Sequence, residues 1–404
     1  MNEITRDFKS LLEKRLIDLE RLAPSANLIQ VLLGPRQVGK TTAVQQIAKT
    51  WPGPVVFASA DLPFAPDQGW ITGQWQKARA HENRKTLLIL DEIQKVSNWS
   101  SVVKVLIDEE RQRKSGMRIV LLGSASWTIE EGLGDTLAGR FEITRAYHWT
   151  YQECVSAFGW DLNKFLKYGG YPVPAQFIDD SERWQRFILD SIIEPMLSKD
   201  ILPLKQIAKP ALFRQTFALA MSYPAQEIAI HKLLGQLQDR GNSTTIKNYL
   251  DMMASGYAIR LLEKYSTRPL TKKSSSPKLI PLCSALVHAF VRPALMDEDG
   301  EWFGRVFENA IGAHLCKSLS EVSYWRDGNA EVDFVVVIDK QIIAIEVKSG
   351  RRKGSSGLSE FKARFPKSRT ILMDLELGEK FLLATDTRKF LLNLVDGGND
   401  SVSN

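Results

Sequence analysis

Gly34-Pro35-Arg36-Gln37-Val38-Gly39-Lys40-Thr41 is the stretch on which the reading of this 404-residue chain turns. A glycine, four intervening residues and then Gly-Lys-Thr form the pattern of a phosphate cradle. Its context matters as much as its letters. The apolar run at 28–33 before it reads as a strand, and 41–49 after it reads as a helix. Glycines at both ends let the backbone fold tightly, so that successive N–H groups point at phosphate oxygens. The N-terminus of the following helix turns its positive dipole end towards the same anion. Gly34 to Thr42 are therefore the expected nucleotide-binding residues, with Lys40 reaching the β- and γ-phosphates and Thr41 taking a position on magnesium.

Working outward, Leu87-Leu88-Ile89-Leu90-Asp91-Glu92 is an apolar strand ending in two carboxylates. Open α/β sheets bind ligands at that carboxyl edge. Asp91 is expected to hold the magnesium and Glu92 to polarise an attacking water. The pair implies ATP and magnesium as cofactors and hydrolysis as the activity. A third strand, at 118–122, runs into Gly123-Ser124-Ala125-Ser126. Ser124, or else Ser126, would touch the γ-phosphate there, unless the segment is a plain turn. Arg140, in Leu137-Ala138-Gly139-Arg140, is a candidate arginine finger acting across subunits. An ordinary surface salt bridge is its alternative.

Short apolar strands alternate with helical patterns through residues 1–150, the signature of a parallel sheet wrapped by helices. Residues 151–205 read as helical, 206–298 as helical ending in a strand at 257–262, 299–396 as a new α/β block, and 397–404 as a frayed tail. Helices at 227–240 and 244–253, followed by that strand, spell a helix-turn-helix with a wing. Thr244, Thr245, Lys247 and Asn248 would face a DNA groove, or the unit packs only against protein. In the last block Asp333 lies on one strand, and Glu346 and Lys348 share a face of the next. With Glu308 from the preceding helix, they propose a nuclease-type metal site steadied by a lysine. Lys348 to Arg369 carries eight basic residues and one acidic, which beside these carboxylates reads as a phosphate track rather than a solvated face.

A net charge of +6 permits a polyanionic partner without requiring one. Cys154, Cys283 and Cys316 show no metal-ligand spacing and read as reduced thiols. The chain has no apolar run of the ~20 residues needed to cross a bilayer. Its first residues carry no signal segment, and a cytoplasmic location is expected.

Taken together, the motifs resemble those of a family of AAA+-related P-loop ATPases of bacteria and archaea with a C-terminal restriction-endonuclease-like domain of unknown function. The resemblance rests on Gly34 to Thr42, Asp91-Glu92-Ile93-Gln94-Lys95-Val96, Gly123-Ser124 and Leu137-Ala138-Gly139-Arg140. It continues through Gly169-Gly170-Tyr171-Pro172, Ser276-Pro277-Lys278, Trp325, Glu331-Val332-Asp333-Phe334 and Glu346-Val347-Lys348. It implies an α/β fold with an AAA+-type parallel sheet, a helical and winged-helix middle and a nuclease-like end. It also implies a homo-oligomer, commonly a hexameric ring. One departure is Leu282-Cys283-Ser284-Ala285-Leu286, where many relatives carry an Asp-x-Gly-Leu-like segment. The functional expectation is an ATPase that remodels or translocates duplex or branched DNA. An ATP-gated nuclease and a nucleotide-operated switch or scaffold for protein partners are the alternatives.

Overall fold

Three apolar runs form the middle of a five-stranded parallel sheet in the computed structural model. They are β1 (Ile29–Gly34), β3 (Leu87–Asp91) and β4 (Arg118–Ser124), and every residue in them is buried. Strands covered on both faces need side chains that are apolar throughout rather than alternating, and these sequences supply them. The half-buried β2 (Val55–Ser59) and β5 (Phe141–Arg145) are the edges, in the order β2-β3-β4-β1-β5. Helices α1 (Asp7–Asp18), α2 (Lys40–Thr50), α3 (Gln68–Arg79), α4 (Trp99–Arg113) and α5 (Trp127–Thr136) accompany the sheet. Trp75, Val103 and Ile107 join Val31, Leu33, Leu88, Leu90 and Leu121 in one buried cluster.

The structure describes residues 5–19, 27–81, 85–124, 127–201, 207, 209–237, 242–266, 275–350 and 356–397. Expectations for Ser126, residues 238–241 of the helix-turn-helix, positions 267–274 of a loop expected over 267–278, the basic residues 351–353 and the tail at 398–404 lie outside them. The chain divides into two compact units. One comprises Met1–Tyr147 with Met196–Gln206, and the other His148–Pro195 with Ile207–Asn404. The division runs through the segment 151–205.

The second unit holds a seven-stranded sheet in the order β12-β11-β10-β9-β7-β8-β6. Its strands are β6 (Gln226–Glu227), β7 (Ile259–Lys264), β8 (Lys278–Pro281), β9 (Val322–Asp327), β10 (Ala330–Ile338), β11 (Gln341–Val347) and β12 (Arg369–Met373). Helices Ile230–Gln236 and Ser243–Ser255 lie between β6 and β7, and β8 pairs antiparallel with both strands. A parallel pairing of β7 with β9 joins this small sheet to the C-terminal strands. The Gly169-Gly170 turn packs on the segment 283–288, since Gly170 N–H donates to Cys283 Sγ at 3.3 Å and Ser284 Oγ to the Phe165 carbonyl at 3.2 Å. The departing Leu282–Leu286 stretch is thus a structural support in this chain. Cys154, Cys283 and Cys316 are all buried and form no disulfide. Among the described residues no helix is long and apolar enough to cross a membrane.

Candidate functional site

Gly34 ends β1 and Gly39, at φ 92°, opens α2 in the left-handed region where a side chain is strained. At Gly34 a Cβ would run into the Ala146 carbonyl, so only glycine lets the loop turn there. Lys40, Thr41 and Thr42 then fill the first turn of α2, whose N–H groups have no intrahelical partner. The Lys40 ammonium is buried and donates to the carbonyls of Gly34 at 2.8 Å and Pro35 at 2.7 Å. Beneath the loop, the buried Arg6 guanidinium donates to the carbonyls of Val38 and, at 2.9 Å, Tyr147. No local motif marks Arg6. Its place depends on α1 lying beside the loop.

Because β4 sits between β1 and β3, its last residue falls between the loop and the paired carboxylates. Ser124 is in register with Gly34. Thr41 Oγ1 donates to Asp91 Oδ2 at 3.0 Å, joining loop and strand. Two hard oxygen ligands side by side suit magnesium, which takes one or two protein oxygens and completes its shell with phosphate and water. Asp91 Oδ1 accepts the Glu92 N–H at 2.9 Å. Glu92 itself has φ 52°, a left-handed conformation that costs a non-glycine residue about 1–3 kcal/mol and gathers at functional sites. Its Oε2 accepts from the Gln94 amide and, at 3.5 Å, from the Ser124 hydroxyl. Gln94 Nε2 also donates to Ser124 Oγ at 3.2 Å. Sequence reasoning counted Gln94 within the Asp91–Val96 motif but gave it no role.

Residues 26–155 match the family model described as AAA domain. This region has the fold of an AAA domain. Two further models, both described as domains of unknown function, match residues 159–294 and 303–390. Uncharacterized protein Mb2031c of Mycobacterium bovis is 24% identical over 372 residues, covering 90% of this chain and 78% of its own length. Uncharacterized protein MJ1544 of Methanocaldococcus jannaschii is 25% identical over 380 residues, covering 82% and 80%. Among solved structures, the Walker-type ATPase paby2304 of Pyrococcus abyssi is similar with a TM-score of 0.47 at 10% identity, covering 69% of this chain and 94% of that one.

Arg140 of the AAA domain lies at the far end of the sheet from the loop. Its neighbour Phe141 pairs with Ile29, and five residue steps along the strand take Ile29 to Gly34, roughly 16 Å. The guanidinium grips Asp108 with both arms, Nε to Oδ1 at 2.7 Å and Nη2 to Oδ2 at 3.0 Å. That hydrogen bond holds the Asp108 carboxyl below its usual range. Within one chain Arg140 is a surface ion pair.

In the second unit the β10–β11 hairpin has Phe334 opposite Ile345, and Asp333 and Glu346 line one cavity. Glu308 and Lys348 line the same cavity of about 380 Å³, with Glu227, Arg305, Arg326 and Glu331. Several of the oxygens are already engaged. Asp333 Oδ2 accepts the Val347 N–H at 2.8 Å, and Glu346 Oε1 pairs with Lys348 at 2.5 Å. Lys278, buried at the start of β8, reaches Glu308 at 2.6 Å, Asp333 at 3.4 Å and Glu331 at 3.7 Å. Burial pulls its pKa down, but the three carboxylates more than offset this and keep it above the ordinary value. Among the described residues no group of three or more His, Cys, Asp and Glu side chains is placed to hold a metal ion. With the Lys278 ammonium already among the carboxylates, the arrangement does not fit the divalent ion that the nuclease resemblance implies.

Proposed function

We propose that this protein is a magnesium-dependent ATPase that acts on duplex or branched DNA. The observation carrying the ATPase reading is the convergence on one sheet edge of the loop, the Thr41–Asp91 pair and the Glu92–Gln94–Ser124 triangle. Backbone N–H groups of the Gly34–Thr42 loop, Pro35 excepted, cradle the phosphates, and Lys40 neutralises charge at the β- and γ-phosphates. Thr41 and Asp91 would hold magnesium, which supplies charge neutralisation where the terminal phosphate leaves. Glu92 polarises the attacking water, and Ser124 contacts the γ-phosphate. Arg140, released from Asp108, would serve the site of a neighbouring copy in a ring.

DNA contact is supported by the helix Ser243–Ser255. Its Ile246, Tyr249, Leu250 and Met253 are buried, while Ser243, Thr244, Lys247 and Asn248 on its first turns are exposed. Asn242 caps it by accepting the Thr245 N–H at 2.7 Å. This polar, solvent-facing N-terminal half is what a reading helix presents to a groove. Lys362, Arg364, Lys367 and Arg369 add exposed cations further along the chain.

The test is steady-state ATP hydrolysis without DNA, with linear duplex and with a four-way junction, in wild type and Glu92→Gln. Stimulation by DNA that vanishes in a variant still able to bind ATP is the expected result. Turnover indifferent to every DNA would transfer the reading to a switch or scaffold. Unimpaired turnover in Glu92→Gln would remove Glu92 from catalysis.

A further inference from the structure

Restriction-endonuclease-like sites gather carboxylates around a divalent cation, and this chain gathers the same residue types around something else. Glu308, Glu331 and Asp333 all lie within 2.6–3.7 Å of the Lys278 ammonium. Lys278 Nζ also donates to the Asp333 carbonyl at 3.3 Å and lies 5.1 Å from the centre of the Phe334 ring. The lysine side chain is 1% exposed, so its charge is compensated by these groups rather than by water. A buried ammonium is tolerated only when it is paired and hydrogen-bonded. Conversely, so many carboxylates in one half-buried pocket need a cation among them.

We infer that Lys278 stands in the place of the divalent ion and makes the C-terminal carboxylate cluster a metal-free site that does not cleave DNA. The inference is independent of the ATPase reading, since it concerns other residues of another unit. Two facts carry it. Calcium and magnesium need oxygens at about 2.0–2.6 Å from one centre, and the ammonium already occupies the space between these oxygens. Two further oxygens of the cluster are also committed, Asp333 Oδ2 to the Val347 N–H and Glu346 Oε1 to the Lys348 ammonium. With Lys278 present, an entering divalent ion would have to expel a charge of its own sign from a buried position.

The decisive measurements use nucleotide-free full-length protein. Titration with Mn2+, followed by the loss of the free-ion paramagnetic signal, should be the same for wild type and Asp333→Asn. The wild-type melting temperature should not respond to millimolar Mn2+. Lys278→Met leaves the carboxylates facing one another, and a fall of roughly 10 °C in melting temperature is expected. Mn2+ should reverse most of that fall by taking the vacated place. Should Lys278→Met fail to fold, Lys278→Met combined with Asp333→Asn removes one charge of each sign and should restore folding. Asp333-dependent Mn2+ binding by wild type would overturn the inference. So would a Lys278→Met protein as stable as wild type, or a double variant that does not fold.

Discussion

At the scale of single residues, Gln94 is the group whose removal is most informative about the nucleotide site. Its amide donates both to Glu92 Oε2 and to Ser124 Oγ, so it fixes the carboxylate against β4 while the Glu92 backbone holds φ 52°. Misplacing a positioned catalytic group costs turnover rather than affinity. Gln94→Ala should lower kcat for ATP by about tenfold to a hundredfold and leave KM nearly unchanged. Ser124→Ala should cost less through Glu92, since its own contact to that carboxylate is 3.5 Å long. Steady-state kinetics on the two variants checks both statements, and a rise in KM without loss of kcat would mean that Gln94 shapes the binding loop instead. The Gly34–Thr42 loop was legible in the sequence because all its parts are contiguous. Gln94 was not, because its role exists only once β4 lies beside β3.

At the scale of elements, contiguity again separates what could be read from what could not. The strands expected at 28–33 and 118–122 fall within two residues of β1 and β4, because central parallel strands are unbroken apolar runs. A helix expected over 227–240 instead begins at Ile230, since Gln226 and Glu227 pair with Leu279 and Lys278 of β8. A tertiary partner about fifty residues away overrode local helical preference there. Helices α3 and α4 are tied by a buried contact of the same non-local kind. Glu110 is fully buried and its Oε1 accepts from Trp75 Nε1 at 3.0 Å and from Arg79 Nε at 2.6 Å. Arg79 also reaches Glu109 at 2.7 Å. Arg79→Met strands a buried carboxylate and should destabilise the AAA domain by about 3–5 kcal/mol. Urea titration would show the loss as a lower midpoint. Adding Glu110→Gln to that variant should recover a good part of it, and no recovery would mean that Arg79 acts by packing alone.

At the scale of the whole molecule, the two units respond differently to acid, because His288 and His314 are both buried in the second. His288 accepts the Trp302 indole N–H on Nε2 at 3.3 Å, which leaves Nδ1–H to donate to the Lys167 carbonyl at 2.7 Å. That ring is satisfied only as the neutral form. Burial pushes its pKa down to about 4, and burial pushes that of His314 down to about 3. Neither is visible in the sequence, where a histidine in a helix carries no sign of its surroundings. A histidine in the unfolded chain titrates near 6.5, so between that value and the folded pKa the unfolded state binds the extra proton. The stability due to each histidine is therefore complete above about pH 6.5 and is lost as pH falls towards 4. From pH 7 to pH 5 the loss should be about 2 kcal/mol per histidine. Scanning calorimetry across this range should show the transition of the second unit falling more steeply than that of the AAA domain. Replacing His288 by Asn, which keeps a side-chain hydrogen-bonding group without a titrating one, should remove about half of the difference in slope. An unchanged slope in that variant would trace the acid sensitivity to the carboxylates instead.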